Sequence, residues 1–520
     1  MRVSKSHPSN TLNISLEGMN LPKKVFIYDC TLRDGEQTPG VALTIKEKVT
    51  IAEQLAKLGV DTIEAGFPVN SRDEKEAVRQ VAKEVTQVPV SGLARVVRED
   101  IDACIDCDVD IVHVFVSTSD VHLEHQMRKS REKVLEAAVE SVEYVKQHGI
   151  KCQFSAMDAT RSDINYLLEV FKGVEDAGVD AIDVADTVGL MIPSAMQTFM
   201  SRIRKSVGVQ LDVHCHNDYG MGVANTLAAV EAGADEVHVT INGIGERAGN
   251  TALEPVVLAL MTIYNKDVNI NPKYLTETSQ LVERYTGISV SPCTPIIGGH
   301  AFAHESGIHV HAIIREASTF EPIKPEDVGQ RRRLVIGKHT GKASVKNALV
   351  ELGVANVTEE ELSEITTRVK DLAGQNKMVT DIDLLAIAED VAKTKAFKPY
   401  IELKEFVVIS GKAITPSALV RMKVGEFEKV GQGTGVGPFD AAANAIEEIV
   451  GPIAHLRLKE YNLKALTGGT DSLGAVKIAV EDRHRNSFEA EAIHQDIVMA
   501  SVNAFIQALN KAMYANNKTG

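Results

Sequence analysis

The chain has no tryptophan, and aromatic residues make up only 5% of it. It therefore offers few platforms on which nucleobases could stack. Positive charge is also short, with 56 Lys and Arg against 71 Asp and Glu, a formal net charge of −15. That balance argues against nucleic acid or an anionic membrane surface as a partner. No apolar run reaches the roughly 20 residues a spanning helix needs. The opening stretch MRVSKSHPSNTLNISLEGMN lacks the apolar centre of a secretory signal and reads as a polar tail. Six scattered cysteines make no disulfide framework, which points to a reducing cytoplasm. Cys104 and Cys107 form a CxxC, but no second ligand pair follows at zinc spacing, so a packed helix face is expected. The glycines of GQGTGVGP (431–438) lack the lysine of a phosphate loop and read as a tight turn into a helix near Phe439.

What the chain does have is length for two or three domains and 44% apolar residues. From residue 24 short β-type runs alternate with amphipathic helical stretches. The runs span 25–30, 60–67, 88–95, 110–118, 150–158, 179–187, 209–216 and 234–243. Thr44 and Glu47 form a capping box. Ile45, Val49, Ala52 and Leu55 then share one helix face, and Gly59 ends it. Further helical stretches are 131–147, 163–177, 193–206 and 220–232. Eight β/α units predict a (β/α)8 TIM barrel, with the active site at the C-terminal strand ends. A doubly wound sheet is the alternative, but its G-x-G-x-x-G turn is missing.

His214 and His216 fall at the end of the seventh run. Two residues apart on a strand, their imidazoles point to the same face and make half of a divalent-metal site. The first run ends in Asp29-Cys30-Thr31-Leu32-Arg33-Asp34, which puts a carboxylate clamp beside a hard oxygen ligand. The expected domains are a tail (1–23), a barrel (24–290), a helical linker region over the barrel mouth (291–398) and a C-terminal α+β domain (399–520). The last is built from two β-β-α repeats and suits ligand sensing or dimerisation.

Six stretches, DCTLRDGEQTPG, IEAGFP, HCHNDYGMGVANTLAAVEAGA, NGIGERAGN, HESGIHV and GVGPFDAAANAIEEI, closely resemble the 2-isopropylmalate synthase family, whose relatives are citramalate and homocitrate synthases. The likeness runs from residue 24 to the C-terminus. It implies condensation of acetyl-CoA with a 2-oxo acid, hydrolysis of the thioester, and feedback by an amino acid, leucine, at the C-terminal domain of a homodimer. By this resemblance Asp34, His214 and His216 hold a divalent metal (Zn, Mn or Mg), with Asn250 completing or supporting the site. Arg33 grips the oxo acid, His113 and Thr187 line its pocket, and His309 is the general base or water activator. A small residue at Ser155 leaves room for a branched oxo acid such as 2-oxoisovalerate.

The chain departs from the family pattern at three places. Met157 stands where the family has Glu in FS-x-E-D, Phe320 where Tyr is common, and His311 where H-x-D is frequent. All three touch proton transfer rather than the metal. Asp158 replaces the lost carboxylate only if it faces inward, and strand alternation puts it opposite Met157. Arg331, Arg332 and Arg333, with Lys338 and Lys342, are either CoA-phosphate contacts or an interdomain basic strip. The turn at Gly468-Gly469-Thr470-Asp471 falls near the implied leucine site. Competing readings are a citramalate or homocitrate synthase, a metal-dependent lyase on the same barrel, and a non-catalytic regulatory paralogue.

Overall fold

A computed structural model describes residues 19–352, 354, 357–374, 379, 381–392, 400–454, 456–465, 469, 472–483 and 487–516. Residues 1–18 of the expected tail thus fall outside the described residues, as do Gly468, Thr470 and Asp471. The chain forms two compact units, one of residues 1–303 and 317–333, the other of residues 304–316 and 334–520.

The first unit is a closed parallel barrel. Its strands are β1 (Phe26–Asp29), β2 (Thr62–Gly66), β3 (Val90–Arg95), β4 (Ile111–Ser117), β5 (Lys151–Met157), β6 (Ala181–Asp186), β7 (Gln210–Cys215) and β8 (Glu236–Val239), with β8 pairing back onto β1. Each expected run contains one strand, so the barrel reading holds. Helix α1 (Ile45–Leu58) begins at the Thr44–Glu47 capping box and ends at Gly59, in left-handed conformation at φ 100°. It is followed by α2 (Arg72–Glu84), α3 (Arg98–Ile105), α4 (Arg131–Gln147), α5 (Ile164–Asp176), α6 (Pro193–Arg204), α7 (Gly222–Glu231), α8 (Leu253–Thr262) and α9 (Leu275–Thr286). Cys104 and Cys107 are buried free thiols on and just after α3, donating to the carbonyls of Leu93 and Lys75, as expected of a packed face.

Strand alternation sorts two kinds of residue. Ile27, Ile63, Val112, Val114, Phe154, Ile182, Val184, Leu211, Val213 and Val237 belong to the apolar core with Ile51, Leu55, Val78 and Val142 of the helices. The positions between them are Tyr28, Glu64, His113, Gln153, Ser155, Asp183, Asp212, His214, Glu236 and His238, all buried. Their contacts skip strands: Tyr28 Oη lies 3.3 Å from His113 Nδ1, and Gln153 Nε2 lies 3.0 Å from His238 Nε2. Only side chains inside a closed barrel can join β1 to β4 or β5 to β8 in this way. The cylinder is therefore apolar outside and polar within. Residues 317–333 pack with this unit: Val328 joins its core, and Arg332 holds the buried Glu321 through two bonds of 2.7 Å. Arg332 thus spends its charge on the fold.

In the second unit, α10 (Gly307–Arg315), α11 (Lys342–Glu351), α12 (Glu359–Gly374) and α13 (Asp381–Ala392) come first, and Leu349, Leu362, Ile365 and Val369 form a small core. Two copies of one motif follow. The first is β9 (Ile401–Gly411), β10 (Ile414–Val424), β11 (Phe427–Thr434) and α14 (Pro438–Ala454). The second is β12 (Arg457–Ala465), β13 (Gly474–Glu481), β14 (Ser487–His494) and α15 (Ile497–Asn516). Each copy is a three-stranded antiparallel sheet and one helix. This corrects the expected β-β-α repeat to β-β-β-α. The missed strands are poor strand formers on their own, one being glycine-rich and the other rich in Ala and Glu. Pairing to the middle strand makes them.

The glycines of β11 are there for close approach, not for a turn. A Cβ on Gly433 would lie 2.5 Å from Ala445 N and 2.6 Å from Ala441 O of the α14 backbone. Gly433→Ala is therefore expected to cost about 1–3 kcal/mol through overpacking. Urea unfolding would read this as a lower midpoint, with faster hydrogen exchange in α14. Unchanged exchange there would rule out the close-packing account.

Candidate active site

The β1–α1 loop carries Arg33 and Asp34 and is pinned from behind. Lys48 is 1% exposed, yet its ammonium meets Glu36 at 2.6 Å, Glu74 at 2.7 Å and the Ala65 carbonyl at 3.3 Å. A buried cation between two carboxylates fixes the loop between α1, α2 and the end of β2. Thr38 Oγ1 adds a bond to Gly245 O at 3.2 Å, tying this loop to the one after β8.

On this platform the expected ligands converge. Asp34 Oδ2 lies 3.8 Å from His214 Nε2 and 3.9 Å from His216 Nε2, and the two imidazole nitrogens are 3.4 Å apart. Ligand atoms about 2.0–2.2 Å from a tetrahedral ion stand about 3.3–3.6 Å from each other, so the spacing fits a cation after a small contraction. Asn250 Nδ2 donates to Asp34 Oδ1 at 2.8 Å, and the Glu246 N–H donates to the same oxygen at 3.2 Å. Asn250 Oδ1 is buried without any donor. A buried acceptor left unmatched beside a carboxylate and two imidazoles is what a positive ion would satisfy. Oxygen and imidazole ligands together accept Zn, Mn or Mg.

Arg33 stands beside this cluster. Its Nη1 donates to Asp34 Oδ2 at 2.7 Å and its Nε to Glu64 Oε2 at 2.5 Å. Burial pushes the Asp34 carboxyl up, but Arg33 and both histidines outweigh it and hold it well below the usual range. Glu64 behaves the same way, with Arg33 and His113 overcoming burial. Burial, helped by His216, lowers the His214 imidazole to about 3, and burial also lowers His216. The cluster thus presents an ionised carboxylate and neutral imidazoles, the protonation states that bind a metal.

The remaining sequence candidates divide. His113 and Ser155 lie inside the barrel, with His113 Nδ1 2.7 Å from Glu64 Oε1 and Nε2 2.7 Å from Ser155 Oγ. Ser155 in turn donates to Asp183. A chain of contacts therefore runs from Arg33 through Glu64 and His113 to Ser155. Thr187 follows β6, where its Oγ1 accepts from the Asp158 N–H at 2.8 Å. Asp158 sits at φ 62°, fully buried, held by Ser119 and by Arg161 Nε at 2.8 Å. It is tied into the β5–α5 turn and does not replace a carboxylate at Met157, which is half-buried at the end of β5. His309 and His311 are exposed on α10, in the second unit. Glu64 and Lys48 were missed by sequence reading. The signal was there in each case: a charge within an apolar strand, and a lysine on the buried side of an amphipathic helix.

Because Asn250 both supports Asp34 and offers the unmatched oxygen, Asn250→Ala is expected to weaken divalent-metal binding by about 10–100-fold. Competition with a chelating dye measures this, with circular dichroism as the folding control. Unaltered affinity would remove Asn250 from the site.

Three family profiles match successive parts of the chain: HMGL-like over residues 24–282, homocitrate synthase post-HMGL domain-like over 296–377, and LeuA allosteric (dimerisation) domain over 378–513. A protein of Methanopyrus kandleri named probable 2-isopropylmalate synthase is 52% identical, with 94% of this chain and 99% of that one covered. The 2-isopropylmalate synthase of Methanocaldococcus jannaschii is 48% identical over 97% of this chain and 98% of its own. The (R)-citramalate synthase of the same organism is 44% identical over 94% and 99%. Identity of this order over nearly the full length, on a barrel whose mouth gathers Asp34, His214 and His216, means that the chain belongs to the 2-isopropylmalate synthase family of acetyl-CoA-condensing acyltransferases.

Proposed function

We propose that the chain condenses acetyl-CoA with 2-oxoisovalerate and water to give 2-isopropylmalate and CoA, the first committed step toward leucine. In this reading it works as a cytoplasmic homodimer with leucine as effector at the C-terminal repeats. The observation that carries the reaction class is the Asp34–His214–His216 cluster with Arg33 at hydrogen-bond distance from Asp34. When bound there, a divalent ion supplies Lewis acidity toward the oxo group. Arg33 uses Nε and Nη1 on its two carboxylates, which leaves Nη2 for a substrate oxygen. Its charge cannot be titrated away, so it stabilises negative charge developing on the former ketone oxygen at any working pH. The acetyl methyl must lose a proton to a positioned base. In this reading the thioether of Met157 can take no proton, and the family resemblance gives the roles of acceptor and water activator to His309.

The choice of oxo acid rests on two supports. Relatives named 2-isopropylmalate synthase match at 48–52%, those named citramalate synthase at 44–48%. Ser155 is small, and it reaches Arg33 through His113 and Glu64. Citramalate synthesis from pyruvate is the second reading. The two substrates differ by two methyl groups, worth together about 1.5 kcal/mol in an apolar pocket.

Release of CoA thiol with 2-oxoisovalerate, pyruvate and 2-oxoglutarate, each with and without leucine, tests the proposal. Expected is a kcat/KM for 2-oxoisovalerate about 10-fold or more above that for pyruvate, with inhibition by leucine. A preference for pyruvate would favour the citramalate reading. Met157→Glu is expected to raise turnover, by up to about 100-fold if it restores a general acid–base group. No gain with any oxo acid would show that Met157 does not limit the reaction.

A further inference from the structure

The connection after β4 holds a titratable side chain that neither the metal cluster nor the Arg33 chain employs. Past Ser119 the backbone enters a short helix, Asp120–His122, which runs on as a π-helical turn, Leu123–Met127, and ends at Arg128 in left-handed conformation at φ 53°. Single π-turns recur at functional sites. Here the turn brings His122 and Gln126 onto one residue, Ser117, the last of β4. Ser117 belongs to the inward-facing series of His113, and its register partner on β5 is Met157. His122 is thus anchored at the C-terminal rim of the barrel, beside the position where the family pattern has a carboxylate.

Hydrogen bonding fixes the state of this imidazole. Ser117 Oγ donates to Gln126 Oε1 at 3.4 Å. A hydroxyl has one hydrogen, so Ser117 accepts at its other contact, and His122 Nδ1, 3.0 Å away, carries the ring proton. Nε2 is then the basic nitrogen of the neutral ring. Among the described residues Nε2 meets no hydrogen-bond partner, and the side chain is 21% exposed, so its lone pair is left for an incoming proton. Asp158 Oδ2 stands 3.9 Å from Nδ1. That buried carboxylate, held in place by Ser119 and Arg161, favours the imidazolium once Nε2 has taken a proton. A base oriented by a neighbouring group and backed by a carboxylate is the arrangement proton transfer requires.

We propose that His122 is the base that takes the acetyl methyl proton, in place of the carboxylate missing at Met157, with Ser117 as its positioning residue. The inference rests on the condensation proposed above and divides its proton work, since His309 keeps the activation of water. In the step, the methyl C–H bond breaks and its proton goes to His122 Nε2. The electron pair of that bond forms the new C–C bond to the keto carbon, and the ketone π pair moves onto oxygen as an alkoxide. The imidazolium then loses its proton to solvent at the exposed edge, and the alkoxide takes one up.

Steady-state thiol release by the full chain tests this. The unaltered protein is assayed first with 2-oxoisovalerate, pyruvate and 2-oxoglutarate, and the best of them is carried forward. His122→Ala is expected to lower kcat about 100-fold or more, with KM for both substrates within about twofold. Free imidazole is expected to restore part of the lost rate to that variant, which a purely structural role would not allow. His122→Gln keeps a polar side chain near Ser117 but cannot carry the proton, so it is expected to be as slow. An unaltered kcat in either variant overturns the assignment, as does a loss in His122→Ala that imidazole leaves unchanged. Should His122→Ala not fold, His122→Gln decides: slow turnover at unchanged KM supports the base, and full turnover overturns it. No thiol release from the unaltered protein with any of the oxo acids overturns the condensation itself and this step with it, an outcome told apart because it precedes any substitution.

Discussion

A guanidinium clamped between two buried carboxylates is the constraint on which the site depends. Arg33 touches Asp34 on one side and Glu64 on the other. Removing Arg33 would strand two buried anions, a costly outcome, whereas removing one carboxylate would leave the guanidinium with a single partner. The clamp also divides labour. Asp34 stays ionised for a cation, and Glu64 transmits order inward to His113 and Ser155. Lys48 repeats the device one shell out, where Glu36 and Glu74 hold it under the loop that carries the clamp. Polar pairs of this kind fix geometry more than they add stability, which suits a loop that must place two charged side chains together.

Much of this was legible in the residues themselves. The eight strands announced themselves because each alternates or runs apolar between capped helices. His214 and His216 could be placed on one strand face from spacing alone. Asp34 stood out as an oxygen ligand at a strand end, but joining it to the histidines, and finding Asn250 at all, needed the family resemblance, because nothing local says that residues so far apart in sequence meet. Glu64 showed only as a charge within an apolar strand, and its role exists only once β1, β2 and β4 close around a common axis. Asp158 was legible in part. Alternation turned it away from Met157, but the left-handed turn and the Arg161 and Ser119 contacts are tertiary facts. The third strands of the C-terminal repeats were obscured because Gly, Ala and Glu favour other structures in isolation, and only a partner strand overrides that preference.

The C-terminal repeats also show how similar motifs can start their helices by different means. Asp496 caps α15 by accepting from the N–H groups of Val498 and Met499. Asp440 lies inside α14 and reaches back to the N–H of Val436. Each Asp satisfies donors near its helix start, but from a different position, so the two copies are alike in topology and not in local chemistry.

The division of the barrel strands into an apolar outer face and a polar inner face has an evolutionary consequence. Stability and chemistry are written in alternate letters of the same eight segments. Substitutions at Tyr28, Ser155 or Asp212 can retune the interior without disturbing the shell of Ile27, Phe154 and Leu211 that packs on the helices. A slip of one residue in a single strand would instead exchange the two alphabets, burying carboxylates under helices and emptying the interior of ligands. The fold is thus permissive to point change and intolerant of insertion within its strands, so its diversity should accumulate by substitution inside and by length only in the loops.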